Sequence, residues 1–242
     1  MAEILNTGGQ FNILTPREEL KRQLLGIEIA GRTCYQSISG EVTPESAQRF
    51  VKMIMRRGHE SVIEHTSMSV LFTQCSRGLT HELVRHRVAS FSQESTRYVD
   101  YSRGGDEPDL QRFQMRCILP PHRDSQEEIG LGDGRSMTPV DMMNEIELYY
   151  RSLRKGGWSP EDARQVLPNA LESDIVMTAN WREWRHVFEM RTQKAAHWEI
   201  RRVMGDLLIT TQKIVPAVFD DFYVAGIDTN GLRFFEQKRN VW

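Results

Sequence analysis

Apolar residues recur at helical spacing in several stretches, and most of those stretches open on a recognisable start signal. Thr15-Pro16-Arg17-Glu18 sets a hydroxyl, a proline and a carboxylate in the order that begins a helix. Leu20, Leu24 and Ile27 follow as its inward stripe. Thr43-Pro44-Glu45 repeats the signal, with Ala47, Phe50, Val51 and Ile54 inward and Gly58 as the stop. Thr138-Pro139-Val140-Asp141 and Ser159-Pro160-Glu161-Asp162 open two more helices, the first ending at Gly156-Gly157. Ser76 to about Val88, Trp181 to Thr192 and Lys194 to Val215 also read as helices, the last stopped by Pro216. Ser67 to Cys75 alternates, with Met68, Val70 and Phe72 on one side, which predicts a strand. Phe113 to Leu119 and Ser173 to Thr178 are further strand candidates, and His122 to Ser136, with Gly130, Gly132 and Gly134, is a polar loop. Strands and helices mix without a regular βαβ alternation, so the pattern favours an α+β fold over a doubly wound sheet. No linker interrupts residues 1–242, which read as a single domain.

The chain has 242 residues, 39% of them hydrophobic, enough for one substantial core or a core plus a lobe. No apolar run approaches the length of a membrane span, and the opening MAEILNTGGQ lacks the basic-then-apolar layout of a signal peptide. Cys34, Cys75 and Cys117 are widely spaced and odd in number, with neither a disulfide framework nor zinc-ligand spacing. Free thiols in a reducing compartment are expected, with the cytoplasm as the location and no membrane as a partner. The net charge of −2 gives no overall attraction to nucleic acid. Only six of the 31 basic residues are lysine. The arginine excess is either compositional drift or a sign of planar recognition, because the guanidinium fork suits phosphates, carboxylates and flat heterocycles.

One segment concentrates that excess. Arg85, His86, Arg87, Arg97 and Arg103 fall within nineteen residues, interleaved with Ser90, Ser92, Ser95 and Thr96. Cations at the end of a helix begun at Ser76 would complement its dipole, which accounts for one or two of them. A hydroxyl-rich turn flanked by arginines can also cradle a phosphate through charge-assisted hydrogen bonds. A nucleic-acid module tracking a phosphate backbone is the alternative, with the negative net charge against it. Ser95 has no base and orienting group legible beside it, so a hydrogen-bonding role is expected rather than a nucleophilic one. His59, His65, His81 and His86 do not show the spacing of a metal site, and none is expected.

Arg85-His86-Arg87 followed, after seven residues, by Ser95 forms RHR-x7-S, and the sequence closely resembles the flavin-dependent thymidylate synthases. Further blocks match that family in order: Arg57-Gly58-His59-Glu60-Ser61 with Glu64-His65, then Ala163-Arg164-Gln165-Val166-Leu167-Pro168, then Thr178-Ala179-Asn180-Trp181-Arg182-Glu183, and last Arg191 with His197-Trp198-Glu199-Ile200. Together they cover roughly residues 30 to 202.

The resemblance implies an α+β fold, a mixed sheet flanked by helices with a helical part, assembled as a homotetramer with shared active sites. It implies conversion of dUMP to dTMP, with 5,10-methylenetetrahydrofolate as carbon donor, NADPH-reduced FAD as hydride donor, and no cysteine nucleophile. On the matching positions, Arg191 and His59 are expected to be catalytic, Arg191 facing the uracil and His59 ordering the flavin. Ser61, Arg85, His86, Arg87, Gln93, Asn180, Arg182 and His186 are expected to contact FAD. Glu82, Arg85, Gln93, Glu94, Ser95, Thr96, Arg97, Arg164 and Arg191 are expected on dUMP. Glu82 stands where the family often has glutamine, and Gln93 where it often has glutamate. A carboxylate at position 82 would repel a phosphate unless a cation offsets it.

Overall fold

A computed structural model of the chain describes residues 1–37, 40–104, 108–111 and 113–238. The strands are β1 Glu3–Leu5, β2 Gln10–Ile13, β3 Met68–Thr73, β4 Ala89–Gln93, β5 Arg116–Ile118, β6 Ile129–Gly130, β7 Ser136–Met137, β8 Ile175–Ala179, β9 Phe222–Ile227 and β10 Arg233–Gln237. The α-helices are α1 Arg17–Cys34, α2 Pro44–Arg56, α3 Arg77–Leu83, α4 Pro108–Gln111, α5 Pro139–Lys155, α6 Pro160–Ala163, α7 Trp181–Arg191, α8 Trp198–Ile214 and α9 Pro216–Phe219. Four strands form one sheet in the order β2-β3-β8-β4; β1 pairs with β5 in parallel, and β9 and β10 form an antiparallel hairpin bulged at Phe234/Phe235. Sheets and helices are mixed without a repeating βαβ unit, an α+β arrangement as expected. Among the described residues no helix is long and apolar enough to cross a membrane.

The start signals act as their chemistry requires. The Thr43 hydroxyl accepts from the Ser46 amide at 3.1 Å while the Ser46 hydroxyl accepts from the Thr43 amide at 2.9 Å, a reciprocal cap on α2. Thr138 and Asp141 cap α5 in the same way, and the Ser159 hydroxyl accepts from the Asp162 amide at 3.2 Å to open α6. The α2 helix stops where Gly58 takes a positive φ of 69°. Thr15 departs from expectation. Pro16 occupies the N-cap of α1, and the Thr15 hydroxyl accepts instead from the Ser69 amide at 2.9 Å, tying the approach to α1 against β3. At Gly31 on α1, a Cβ would overlap the Phe50 ring of α2, so glycine permits this close helix approach.

The chain condenses into two compact units, each assembled from three chain segments: Met1–Gln10, Phe72–Leu83 and Ser92–Ile175 in the first, and Phe11–Leu71, Val84–Phe91 and Val176–Trp242 in the second. The first unit buries Tyr101, Met115, Cys117, Tyr150, Ala163 and Leu171 together. Burial, with the Glu147 and Glu172 carboxylates near, pushes the Cys117 thiol up to about 12. Over this core Asp100 receives Arg154 Nε at 3.1 Å and Nη2 at 2.8 Å, and the Ser102 hydroxyl and amide at 2.7 and 3.1 Å. Burial alone would raise the Asp100 pKa; the bonds from Arg154 and Ser102 and the Arg154 charge outweigh it and bring the group down to about 2.

The second unit packs around aromatic rings. Phe188 lies 5.8 Å from Trp184, 5.6 Å from Phe219 and 6.4 Å from Phe222, edge-on to the last two. Trp184 Nε1 donates to the Met68 carbonyl at 3.0 Å, satisfying the one polar atom of a fully buried indole. Leu20, Leu24 and Ile27 of α1 and Ala47, Val51 and Ile54 of α2 are buried as their spacing required.

Several elements differ from the sequence expectation. The helix begun near Ser76 ends at Leu83, so Arg85 and His86 follow it rather than form its last turn, and residues 89–93 are a strand. The last long helix starts at Trp198, four residues late, because residues 192–197 form bends and a turn. The C-terminal hairpin β9–β10 and the small β6–β7 hairpin inside the polar 122–136 loop were not expected.

Asp100→Asn should cost about 2 kcal/mol at neutral pH, because it leaves the Arg154 guanidinium facing a neutral group. A carboxylate held at about 2, against an ordinary 3.8, stabilises the fold above 3.8 and loses that contribution as pH falls towards 2. Urea unfolding of both proteins should therefore show a stability gap that closes across that window.

Candidate active site

The second unit gathers most of the residues expected on the flavin. Between α3 and β4, the RHR tripeptide alternates outward and inward. Arg85 and Arg87 are exposed, whereas His86 is only 5% exposed. Among the described residues, neither Arg85 nor Arg87 has a hydrogen-bonded or ionic partner for its guanidinium. His86 is engaged at both ring nitrogens: Nε2 lies 3.0 Å from Arg191 Nε, and Nδ1 lies 3.5 Å from Glu183 Oε1. Arginine Nε can only donate, so His86 Nε2 must accept, and the proton of the neutral ring sits on Nδ1. The charge state agrees with this. Burial, then the Arg191 charge and His186, whose ring is edge-on at 5.5 Å, lower the His86 pKa from 6.5 to about 4.

Helix α7 supplies the other side of this arrangement. Asn180 is its N-cap, with Oδ1 accepting from the Glu183 amide at 2.9 Å. Arg182 and His186 are exposed on the first two turns, and Arg191 lies in the last, where a cation also complements the helix dipole. Asn180, Arg182 and His186 line a cleft of about 480 Å³ within this unit. Glu60, Glu64, Glu183 and Glu189 line it too, and sequence reading gave none of these carboxylates a role. Arg182 is paired with Glu64. Arg185, also missed, is buried and held by Asp221 Oδ1 and Oδ2 at 2.8 and 2.6 Å, with Glu60 at 3.3 Å. His59, exposed at the head of the 3₁₀ turn Glu60–Glu64, has Nδ1 3.1 Å from the Tyr35 hydroxyl. Ser61 is exposed in the same turn.

The first unit gathers the residues expected on the nucleotide, apart from Arg85 and Arg191. Gln93, the last residue of β4, donates from its side-chain amide to the Thr80 hydroxyl at 2.8 Å and the Ser173 hydroxyl at 3.1 Å. Glu94 accepts from the Tyr101 hydroxyl at 2.7 Å, and burial with this neighbour raises the phenol further above its usual range. The Ser95 hydroxyl accepts from the Arg97 amide at 3.3 Å, and Arg164 Nη1 donates to the Thr96 hydroxyl at 3.4 Å. Arg97 forms an exposed ion pair with Glu161 at 3.0 Å. Glu82 is half-buried near the end of α3. Residues 93–97 and Arg164 therefore share one polar cluster. Thr80, Tyr101, Glu161 and Ser173 support it, and no sequence signal pointed to those four. Among the described residues no three metal-ligating side chains converge as a cation site.

His86 binds a proton in the unfolded chain below 6.5 but in the folded chain only near 4. Folded stability should thus fall with pH across that interval, by up to about 3 kcal/mol, and level off below it. In His86→Gln that component of the slope should vanish, as measured by denaturant unfolding at a series of pH values.

Comparison with known proteins gives a consistent result. The family profile described as thymidylate synthase complementing protein matches residues 19–217. A flavin-dependent thymidylate synthase of Mycobacterium avium is 37% identical over 210 residues, covering 82% of this chain and 79% of the relative. Its counterpart in Mycobacterium tuberculosis is 36% identical over 209 residues, with the same coverage. Among solved structures, the UMP/dUMP methylase PolB from Streptomyces cacaoi, bound with 5-Br dUMP, superposes with a TM-score of 0.66 at 21% identity, covering 90% of this chain and 95% of that one. Thymidylate Synthase X from Helicobacter pylori, with FAD and dUMP, gives 0.63 at 19% identity, covering 88% and 98%. At such identities the two structures speak to the fold. The profile and the mycobacterial relatives speak to descent, and by them this chain belongs to the flavin-dependent thymidylate synthase family.

Proposed function

We propose that this chain makes dTMP from dUMP, with 5,10-methylenetetrahydrofolate as the carbon donor and NADPH as the source of reducing equivalents through FAD. The observation that best supports the reading is Arg191, a permanent cation whose Nε is fixed at 3.0 Å by a buried, neutral imidazole from the RHR signature. Bound FAD, once reduced, supplies the hydride. Arg191 faces the uracil and stabilises negative charge developing at N3 or on the adjoining oxygen, an effect on the order of 3 kcal/mol. His59 orders the flavin, with Tyr35 setting the direction of its ring.

Ser61, Arg85, His86, Arg87, Gln93, Asn180, Arg182 and His186 are assigned to FAD. The donors suit a ligand that is planar at one end and anionic at the other. The four glutamates of the α7 cleft are unfavourable to a pyrophosphate, which is therefore assigned to Arg85 and Arg87 rather than to the cleft. Gln93, Glu94, Ser95, Thr96, Arg97 and Arg164 are assigned to dUMP, as are Glu82, Arg85 and Arg191, the last at the uracil. A thiol route is disfavoured by chemistry. Cys75 and Cys117 are buried, and the Cys117 thiol, held near 12, forms little thiolate at neutral pH. Cys34, exposed at the end of α1, lies outside every family block.

The protein is read as a single domain, because both compact units draw on three separated segments and no cut in the chain would free either one. It is further read as a cytoplasmic homotetramer with shared active sites.

Tritium release from labelled dUMP, with folate and NADPH present, should depend on FAD; FAD-independent turnover would contradict the reading. Arg191→Ala should lower turnover at least about 100-fold while the flavin absorbance of the bound cofactor persists. Replacing Cys34, Cys75 and Cys117 together by serine should leave turnover in place wherever the variant folds and binds FAD. Complete loss in such a variant would restore a thiol mechanism.

A further inference from the structure

A catalytic arginine is a long, rotamer-rich side chain, and something must hold it in one orientation. Arg191 leaves the last turn of α7, and His86 Nε2 receives its Nε. That contact holds only while the imidazole presents a lone pair at Nε2, so the tautomer of His86 governs the hold on Arg191 Nε. On the far side of the ring stands Glu183, only 8% exposed, with Oε1 at 3.5 Å from Nδ1. Among the described residues, His86 is the only group whose side chain approaches this buried carboxylate within ion-pair distance. A buried carboxylate whose single partner is a neutral imidazole is not a structural ion pair. It is a fixed dipole-orienting charge.

We propose that Glu183 is a positioning residue for Arg191, acting through His86: its carboxylate holds the imidazole as the Nδ1–H tautomer and so keeps Nε2 as the acceptor that fixes the guanidinium. The inference deepens the reading of Arg191 as the group facing the pyrimidine, and rests on it. The opposite tautomer is penalised twice. It would set an Nε2–H against the Arg191 Nε–H, donor to donor, and it would turn the Nδ1 lone pair towards a carboxylate. Both conflicts would lie in a buried setting where such terms are strong. The geometry is also fixed from the backbone. Asn180 caps α7 by accepting from the Glu183 amide at 2.9 Å, which anchors Glu183 at the helix start. Glu183 and Arg191 are about 12 Å apart along the axis, too far to touch directly. Arg191 can lean back towards the helix N-terminus, as helical side chains do, and the imidazole spans the rest.

Histidine-selective ¹⁵N labelling near neutral pH tests this directly, with the His86 signals assigned by their loss in His86→Gln. The wild-type chain should show a pyrrole-type Nδ1 and a pyridine-type Nε2; an Nε2–H tautomer would overturn the proposal without any turnover measurement. Glu183→Leu should mix the tautomers and lower kcat about tenfold or more, with KM for dUMP within about twofold. Glu183→Gln keeps an acceptor oxygen, and should retain the tautomer and kcat within about threefold. Wild-type kcat and an unmixed tautomer in Glu183→Leu would end the proposal. If Glu183→Leu does not fold, the wild-type tautomer and the glutamine variant still decide. Arg191→Ala separates the two claims: full turnover there removes the reading of Arg191, whereas the nitrogen signals report on Glu183 and His86 regardless.

Discussion

The contact between Arg191 and His86 depends on a charge state. A guanidinium offers donors and no acceptor, so a ring placed against its Nε must be neutral and must turn a lone pair towards it. Solvent would undo this readily, because an exposed imidazole titrates near neutral pH. The fold prevents it by burying His86 and by placing the Arg191 charge and the His186 ring beside it, which brings the ring to about 4. The three-residue RHR signature thereby acquires a division of labour. Its outer arginines face solvent and its central histidine faces inward, as alternation in a chain passing from α3 to β4 allows.

Arginine is abundant in this chain, and several of its arginines serve internal ion pairs. Arg32 pairs with Glu28, Arg116 with Glu172, Arg151 with Glu147, Arg154 with Asp100, Arg185 with Asp221, and Arg201 with Asp228. In all of these pairs but the Asp221 one the carboxylate is at most 13% exposed, and a planar fork that stays charged fits such a site better than lysine would. Composition alone therefore overstated the case for anion binding. The local cluster carried the information.

Local signals were legible where one residue type could satisfy one requirement. Thr43, Thr138 and Ser159 cap the helices they were expected to cap, and the alternation of Met68, Val70 and Phe72 gives a strand with all three buried. The errors arose where two requirements competed. Leu79 and Leu83 fit a helical stripe, and the pattern continued to Val88, yet Val88 is 65% exposed and the chain has already turned at Val84. The family blocks located nearly every candidate residue, including Glu183 inside a quoted motif, but spacing does not reveal which side chains face one another. Glu161 and Ser173, which help hold the 93–97 segment, lie more than 60 residues from it in sequence, and no motif ties them to it.

Pairing also ranks the arginines by how readily each could meet an anion. Arg85 and Arg87 need surrender nothing among the described residues. Arg97 and Arg182 are engaged, but with both partners roughly half exposed: 49% and 50% for Arg97 with Glu161, 53% and 44% for Arg182 with Glu64. Such pairs are worth no more than about 1 kcal/mol, so a phosphate can displace the carboxylate at little cost. Arg185 is only 4% exposed, bound by both oxygens of Asp221, and stacked over Phe222 at 5.2 Å. Removing it from Asp221 would leave a buried charge unpaired, a penalty of about 3 to 5 kcal/mol that no surface ligand would offset. Arg185 therefore builds the wall of the α7 cleft, and the arginines free to exchange partners are those at its rim and Arg97.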